Sequence, residues 1–328
     1  MVKKLILGLA NKMGLRIERN PNQHANTSFL KRYTISVARP KMNYDELIAK
    51  DPLNISLHLQ YAAEAIRRNK AYLSYAELKT AAYLGAGRDE VEEGLSMALA
   101  AMPKPEVMDH NGYFRLSSLA SELALRSTEK KYSVLDVGGG EGMLASFIPE
   151  ASYCLADPNT NGISGINLPF PDHSFDYVVS CHVLEHVPVG DRVAFLDQML
   201  SKSKRGVILL NPFYIEGAYE KERLQLFIDI TDFQWAREHL ECTLPNIEDI
   251  KTFAVQRGLN ISVKPNGTLT TGIAIEFMNY FANKAGLIKE KVRINEFYNT
   301  KYKHILDSID YPVGHIVYLG RTERSSET

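Results

Sequence analysis

The residues best suited to hold a ligand stand together near the middle of the chain. An apolar run over residues 133–137 predicts a buried strand, and the run from Met143 to Ile148 predicts a helix. Between them, Asp136 is followed by closely spaced glycines, Gly138, Gly139, Gly140 and Gly142. Glycine has no Cβ, so the backbone can adopt a positive φ and approach a ligand closely. A strand, a glycine turn and a helix in this order predict a site where backbone N–H groups face a ligand.

A carboxylate follows the next predicted strand. The run from Tyr153 to Ala156 is mostly apolar, and Asp157 stands at its end, about twenty residues beyond the first glycines. The two oxygens of a carboxylate can accept hydrogen bonds from both hydroxyls of a ribose. Dinucleotide-binding folds place an acid in the same way, but their Gly-x-Gly-x-x-Gly pattern would need glycine where this chain has Met143. Asp157 therefore indicates a nucleoside without choosing the cofactor.

The pattern Asp-x-Gly-x-Gly-x-Gly from Asp136 to Gly142 resembles motif I of the class I S-adenosylmethionine-dependent methyltransferases. The stretch from Leu168 to Asp176 is similar to a segment typical of the small-molecule members of that class. The resemblance covers about residues 109–265 and the last predicted strand. It implies S-adenosylmethionine as the cofactor, bound by Asp136, Gly138, Gly139, Gly140, Gly142, Asp157, Asn167, Leu168 and His182. Relatives carry an acid for the adenine amino group where residues 164–166 stand here, so we expect Asn167 or a backbone carbonyl to replace it.

The segment that follows the fourth strand of the family, Cys181 to Val187, would border both the cofactor and the methyl acceptor. Three interpretations of His182, Glu185 and His186 stay open. An imidazole could act as a general base, since it titrates near neutral pH. The three side chains could bind a divalent cation, as a partly matching pattern does in some relatives, or they could only line the wall. We assign no metal ligand, and the catalytic candidates are His186, His182, Glu185 and His239, the last because relatives place a histidine there beside the acceptor.

These residues need a scaffold, and the resemblance implies one for residues 109–328. We expect an α/β fold, a Rossmann-like seven-stranded methyltransferase sheet with helices on both faces. Two insertions, at about 214–240 and 269–311, would form a helical cap over the carboxyl edge of the sheet. Residues 35–108 predict an N-terminal all-helical region that resembles a tetratricopeptide repeat. A single repeat cannot bury its own faces, so this region should pack on the catalytic domain or on a second subunit.

The composition limits the kinds of partner that the protein is expected to bind. The net charge is -1 at pH 7, so no broad basic surface indicates nucleic acid. The 3 cysteines show neither disulfide nor zinc spacing, which indicates free thiols in a reducing compartment. Residues 1–34 are basic and carry apolar residues at helical spacing, a pattern typical of a helix that lies on an anionic membrane surface. We expect a cytoplasmic protein, peripheral at the inner face of the membrane if residues 1–32 bind lipid.

Taken together, the sequence predicts an enzyme that methylates a hydroxyl of a saccharide or another small molecule. The basic N-terminal segment and the aromatic cap favour bacterial surface-glycan synthesis. Two alternatives stay open: a protein or peptide methyltransferase that holds its substrate on the helical region, and a non-catalytic scaffold that only binds the cofactor. A homo-oligomer is compatible with either.

Overall fold

The computed structural model describes residues 42–127, 131–214, 220–302 and 312–321, together with Phe29 and Glu129. The basic amphipathic segment predicted over residues 1–34 lies outside the described residues, apart from Phe29. Within the described ranges, every helix is too short or too polar to cross a bilayer.

Six strands form one mixed sheet in the described part of the chain. They are β1 (Ser133–Val137), β2 (Ser152–Ala156), β3 (Phe175–Cys181), β4 (Ser203–Asn211), β5 (Leu259–Asn266) and β6 (Gly314–Arg321). Their order across the sheet is β2-β1-β3-β4-β6-β5. The first four strands run parallel, and β6 runs antiparallel to both of its neighbours. This is the predicted Rossmann-like arrangement.

The predicted count of seven strands is wrong, because the described chain forms six. In the described chain, no strand pairs with the outer edge of β2, and residues 157–174 form turns. A parallel strand needs a crossover of a dozen or more residues on each side, and this segment is too short for two crossovers and a strand. A helix covers the free edge in place of the strand: the N–H of Leu155 in β2 donates a hydrogen bond to Oγ1 of Thr80 at 3.0 Å. A covered edge cannot pair with another chain.

Five helices precede the sheet within residues 42–127. They are α1 (Tyr44–Lys50), α2 (Ile55–Arg67), α3 (Ala71–Leu84), α4 (Arg88–Ala101) and α5 (His110–Arg126). The helix α2 begins after Asn54, whose side chain accepts the N–H of Leu57 at 3.3 Å. Leu59, Leu78 and Leu119 from these helices are buried in one apolar cluster with Val134 and Tyr153 of the sheet. The helical region therefore packs directly on the sheet.

The remaining helices complete the second face and the edge of the sheet. They are α6 (Arg192–Lys202), α7 (Glu220–Thr231), α8 (Gln234–Glu241), α9 (Ile247–Gln256), α10 (Leu269–Lys284) and α11 (Ile288–Phe297). Phe195 of α6 and Phe253 of α9 are buried with Leu135 on the face opposite Val134. The helix predicted after the glycine turn is only a 3₁₀ turn, Met143–Ser146.

The helices of the two predicted insertions contact each other. Leu224, Phe227 and Ala236 are buried together, and Phe277 of α10 packs against them. Several aromatic side chains of the predicted cap thus form the internal core of this layer, with the rings of Phe227 and Phe277 5.2 Å apart.

Candidate functional site

The glycine turn requires glycine for two different reasons. Gly138, Gly140 and Gly142 have φ values of 75°, 56° and 72°, which side chains rarely adopt. A Cβ on Gly138 would lie 2.3 Å from Cγ2 of Val183, and one on Gly142 would lie 2.2 Å from Cβ of Ala76. A Cβ on Gly140 would meet no atom of the described chain within 4 Å. Gly138 and Gly142 are thus packed against protein, whereas Gly140 faces open space.

The strand order places a ligand crevice beside this turn. The chain moves from β1 to β2 on one side and then to β3 on the other, and ligands bind at such a reversal, outside the carboxyl ends of the strands. Asp157, which follows β2, accepts a hydrogen bond from the N–H of Gly140 at 2.9 Å. Its other oxygen accepts the N–H groups of Asn159 and Thr160, each at 2.9 Å. The structure therefore places Asp157, the residue predicted to bind the ribose, beside the glycine turn.

Asp136 lies beneath the turn. It is 2 % exposed, and Oδ2 accepts a hydrogen bond from the hydroxyl of Tyr153 at 2.7 Å. A Cβ on Gly139 would lie 2.4 Å from the same oxygen. Burial and the charge of Asp157 raise the pKa of Asp136 to about 7, although the hydrogen bond from Tyr153 lowers it. Asp136 thus supports the turn from the protein side, while its predicted contact with the cofactor stays a prediction.

The loop predicted to meet the adenine also borders the crevice. A Cβ on Gly165 would lie 2.9 Å from Val137, the last residue of β1. Asn167 follows and is exposed. Leu168 is buried, and its N–H donates to Oε1 of Gln198 in α6 at 3.2 Å. The two residues therefore stand near the end of β1, and their contact with adenine stays a prediction.

His182 occupies the end of β3 in a strained conformation. Its φ is 55°, and its N–H donates to the carbonyl oxygen of Leu210 at 2.8 Å. Nδ1 lies 3.3 Å from Oε1 of Glu185, yet neither atom makes a hydrogen bond within the described chain. Burial first, and then the charge of Arg115, lower the pKa of His182 to about 4. His182 is thus neutral at pH 7 and is a weak base there.

The other catalytic candidates form a second group. Glu185 is 3 % exposed and accepts a hydrogen bond from Nδ2 of Asn211. His186 is exposed, and its ring centre lies 5.0 Å from that of His239. Glu185, His186 and His239 each offer one atom that could bind a metal ion, and these three atoms lie within 4.8 Å of one another. Among the described residues, the set that could hold a divalent cation therefore contains His239 instead of His182; two imidazoles and a carboxylate suit an ion such as Zn²⁺.

A cavity of about 340 Å³ opens between the sheet and the helices α5, α7, α8 and α10, within the size range of small-molecule sites. Of the four predicted catalytic residues, His182 and His239 line it and Glu185 and His186 do not. Its other lining residues include Phe114, Arg115, Arg223, Trp235 and Glu276.

Residue types and spacing alone do not point to those other lining residues. Arg115 belongs to a helix that periodicity predicts, but periodicity alone does not tell which polar residue of a helix faces a cavity. Trp235 contacts His239 edge to face, with ring centres 5.7 Å apart. Its place in the predicted cap insertion is the one signal that could have pointed to it.

Residues 108–262 match a protein-family model described as a methyltransferase domain. No curated protein matches the chain. Among solved structures, a methyltransferase assigned to an antibiotic biosynthesis pathway of Anabaena variabilis is 14% identical, with a TM-score of 0.40, and the match covers 66% of this chain and 99% of that one.

Phosphoethanolamine N-methyltransferase 2 of Haemonchus contortus, in complex with S-adenosyl-L-methionine, is 16% identical, with a TM-score of 0.41. That match covers 62% of this chain, which spans about half (51%) of the Haemonchus chain. Magnesium protoporphyrin IX methyltransferase of Synechocystis is 13% identical, with a TM-score of 0.36, over 63% of this chain and 78% of that one. Similarities this low do not extend to the substrates of these enzymes.

The family match spans the strands from β1 to β4 and includes the glycine turn that follows β1. These features identify residues 108–262 as a methyltransferase domain of class I, the class that takes its methyl group from S-adenosylmethionine.

Proposed function

We propose that the protein transfers the methyl group of S-adenosylmethionine to a hydroxyl of a small molecule bound in the 340 Å³ cavity. One observation carries this proposal: His182 lines the cavity, and the adjacent Val183 packs against Gly138 of the glycine turn. The cavity thus begins where the crevice for the cofactor ends. A methyl group held at the ends of β1 and β3 would face it.

The cofactor would lie across the ends of three adjacent strands. The turn from Gly138 to Gly142 would hold the methionine end of the cofactor. Gly140 would lie closest to the cofactor, because no side chain fills the space before this residue. Gly140 uses one lone pair of Oδ2 and the N–H groups of Asn159 and Thr160 use both of Oδ1, so Asp157 would accept one ribose hydroxyl with the remaining lone pair of Oδ2. Asn167 and Leu168 would border the adenine.

The reaction requires few functional groups from the protein itself. The sulfonium already activates the methyl group, so the residues around the cavity need only align the hydroxyl with it and take its proton. His239 is the best placed base, because it lines the cavity and contacts Trp235. His182 lines the cavity too, but its lowered pKa fits it to accept a hydrogen bond from the substrate better than to take the proton.

A saccharide is the acceptor class that the cavity suits best. Trp235 and Phe114 offer apolar faces on which a sugar ring can stack, and Arg115, Arg223 and Glu276 offer hydrogen bonds for its hydroxyls. A role in surface-glycan synthesis rests in addition on the basic N-terminal segment. No feature of the described chain favours the peptide-methylating or scaffold alternatives.

The first experiment is a calorimetric titration of S-adenosylmethionine and S-adenosylhomocysteine into the wild type and Asp157→Ala. Loss of hydrogen bonds to a charged group should weaken binding at least about tenfold. Asp172→Ala is the control, because this exposed acid pairs with Lys202 away from the crevice. A wild type that binds neither compound would refute the proposal.

The second experiment tests the base. Transfer of labelled methyl groups from S-adenosylmethionine to a panel of monosaccharides and disaccharides identifies an acceptor, on which His239→Gln and His186→Gln are compared. We expect a loss of about a hundredfold or more for His239→Gln, as is usual for a general base, and less than about threefold for His186→Gln. Equal losses would contradict the assignment of His239.

A further inference from the structure

The turn that carries Asp157 is held by the N-terminal helices. The hydroxyl of Tyr61 in α2 donates a hydrogen bond to the carbonyl oxygen of Thr160 at 2.9 Å. Gly162 packs so closely on α1 that a Cβ there would lie 2.2 Å from the carbonyl oxygen of Asp45. The segment from Asp157 to Gly162 therefore rests on α1 and α2, although 99 positions of sequence separate Thr160 from Tyr61.

The side chain of Asn161 fixes the backbone that leads into Asp157. It is fully buried, and Oδ1 accepts the N–H of Asp157 at 3.0 Å. Its Nδ2 donates to the carbonyl oxygen of Leu155 at 3.0 Å and to Oε1 of Glu77 in α3 at 3.1 Å. Both amide hydrogens are thus used, and the orientation of the Asn161 amide depends on Glu77.

Glu77 is in turn paired with His58. Both side chains are 0 % exposed, and Nδ1 of His58 lies 2.5 Å from Oε2 of Glu77. Nε2 of His58 lies 2.9 Å from the carbonyl oxygen of Pro52, which can only accept a hydrogen bond. Since both partners are acceptors, both ring nitrogens donate, and His58 is an imidazolium. Burial alone lowers its pKa, but Glu77 and the Pro52 carbonyl together raise it above the ordinary value.

This buried ion pair has one further polar connection in the described chain, through Asn161 to Asp157. We propose that α2 and α3 form part of the cofactor site: His58 and Glu77 are positioning residues that orient Asp157 through Asn161, and Tyr61 holds the far end of the same turn. A turn already in its binding conformation loses less entropy when the ligand arrives. The inference rests on the proposed function, in which Asp157 binds the ribose.

Two tyrosines allow a matched test. Tyr61 and Tyr83 each donate a hydrogen bond from the helical region to a backbone carbonyl oxygen at 2.9 Å, and both bonds are partly buried. The partner of Tyr61 lies in the turn that carries Asp157, whereas the partner of Tyr83, Ser174, lies just before β3. Tyr61→Phe should weaken S-adenosylmethionine binding about threefold to tenfold, the value of one hydrogen bond. Tyr83→Phe should leave the Kd unchanged within about twofold.

A ligand that lacks the ribose hydroxyls separates positioning from a general loss of stability. For the 2′,3′-dideoxy analogue of S-adenosylhomocysteine, the Kd should be the same for the wild type and Tyr61→Phe, because Asp157 has nothing to bind. Asn161→Ala should weaken S-adenosylmethionine binding about tenfold or more. Glu77→Gln should change it less than about threefold, since an amide can still accept from Asn161 and donate to a neutral His58.

The outcomes distinguish this inference from the function on which it rests. A wild type that does not bind S-adenosylmethionine would overturn both. Binding by the wild type, with the same Kd in Tyr61→Phe and Tyr83→Phe, would overturn the inference alone. So would a folded Asn161→Ala variant that binds like the wild type.

Discussion

Removing the carboxylate of Glu77 should destabilise the protein far more than neutralising it. Glu77→Ala leaves the imidazolium of His58 buried without a counter-charge and leaves Nδ2 of Asn161 without one of its acceptors. Because both members of the pair are 0 % exposed, the expected loss is that of a broken buried ion pair, about 3–5 kcal/mol of unfolding free energy. Glu77→Gln keeps a partner for both side chains, with His58 neutral, and should cost about 1 kcal/mol.

The assay is urea denaturation followed by circular dichroism at pH 7, without cofactor, for the wild type and the two variants. The midpoint and the slope together give the free energy of unfolding, and the slope should be equal in all three proteins. If Glu77→Ala falls within about 1 kcal/mol of Glu77→Gln, the pair is not the buried ion pair described above.

The pH dependence provides an independent check. The folded-state pKa of His58 is raised above its unfolded value of about 6.5. The contribution of the pair to stability is therefore fully present below that pH, and it is lost as the pH rises through the folded-state pKa. The advantage of the wild type over Glu77→Gln should be largest at about pH 6 and should shrink as the pH rises; an advantage that grew with pH would contradict the protonation of His58.

Three further predictions concern the site. Gly140→Ala should weaken S-adenosylmethionine binding more than Gly142→Ala does, whereas Gly142→Ala should lower the unfolding free energy more, because only a Cβ at Gly142 meets protein. Calorimetry measures the first effect and denaturation the second. The reverse ranking would contradict the open space before Gly140. The rate of methyl transfer should show no titration of His182 above about pH 5, since its pKa is about 4; an apparent pKa near 6 that vanishes in His182→Asn would contradict this. Methyl transfer should survive a chelator, because the sulfonium needs no metal; activity lost on chelation and restored by Zn²⁺ would instead assign a cation to Glu185 and its two neighbouring imidazoles.

The sequence predicts those parts of the molecule that depend on neighbouring residues. The helix from Ala71 to Leu84 lies within residues 35–108, which are predicted to be helical, and Gly85 ends it with a φ of 109°. The contact between Asp157 and the glycine turn follows from two adjacent parallel strands, whose carboxyl ends share one edge of the sheet. Both predictions use local signals or a regular geometry.

Features that depend on distant pairs could not be predicted. Asn161 and Glu77 are 84 positions apart, and neither has a neighbour that marks it as a partner. The grouping of His239 with His186 depends on how α8 turns back over the end of β3, which no periodicity encodes. The lack of a seventh strand among the described residues could have been suspected from the short segment 157–174, but only the structure shows that α3 covers the edge of β2.

The covered edge of β2 has a consequence for any shortened form of the protein. The family match begins at residue 108, which invites expression of a fragment from that point. Such a fragment would lack Thr80, so the N–H of Leu155 would be left unpaired on an open strand, and the apolar surface that packs on Leu59 and Leu78 would face water. An open edge beside exposed apolar surface is a template for pairing with other chains. A shortened form that keeps this edge covered should therefore begin before α1, well upstream of the glycine turn.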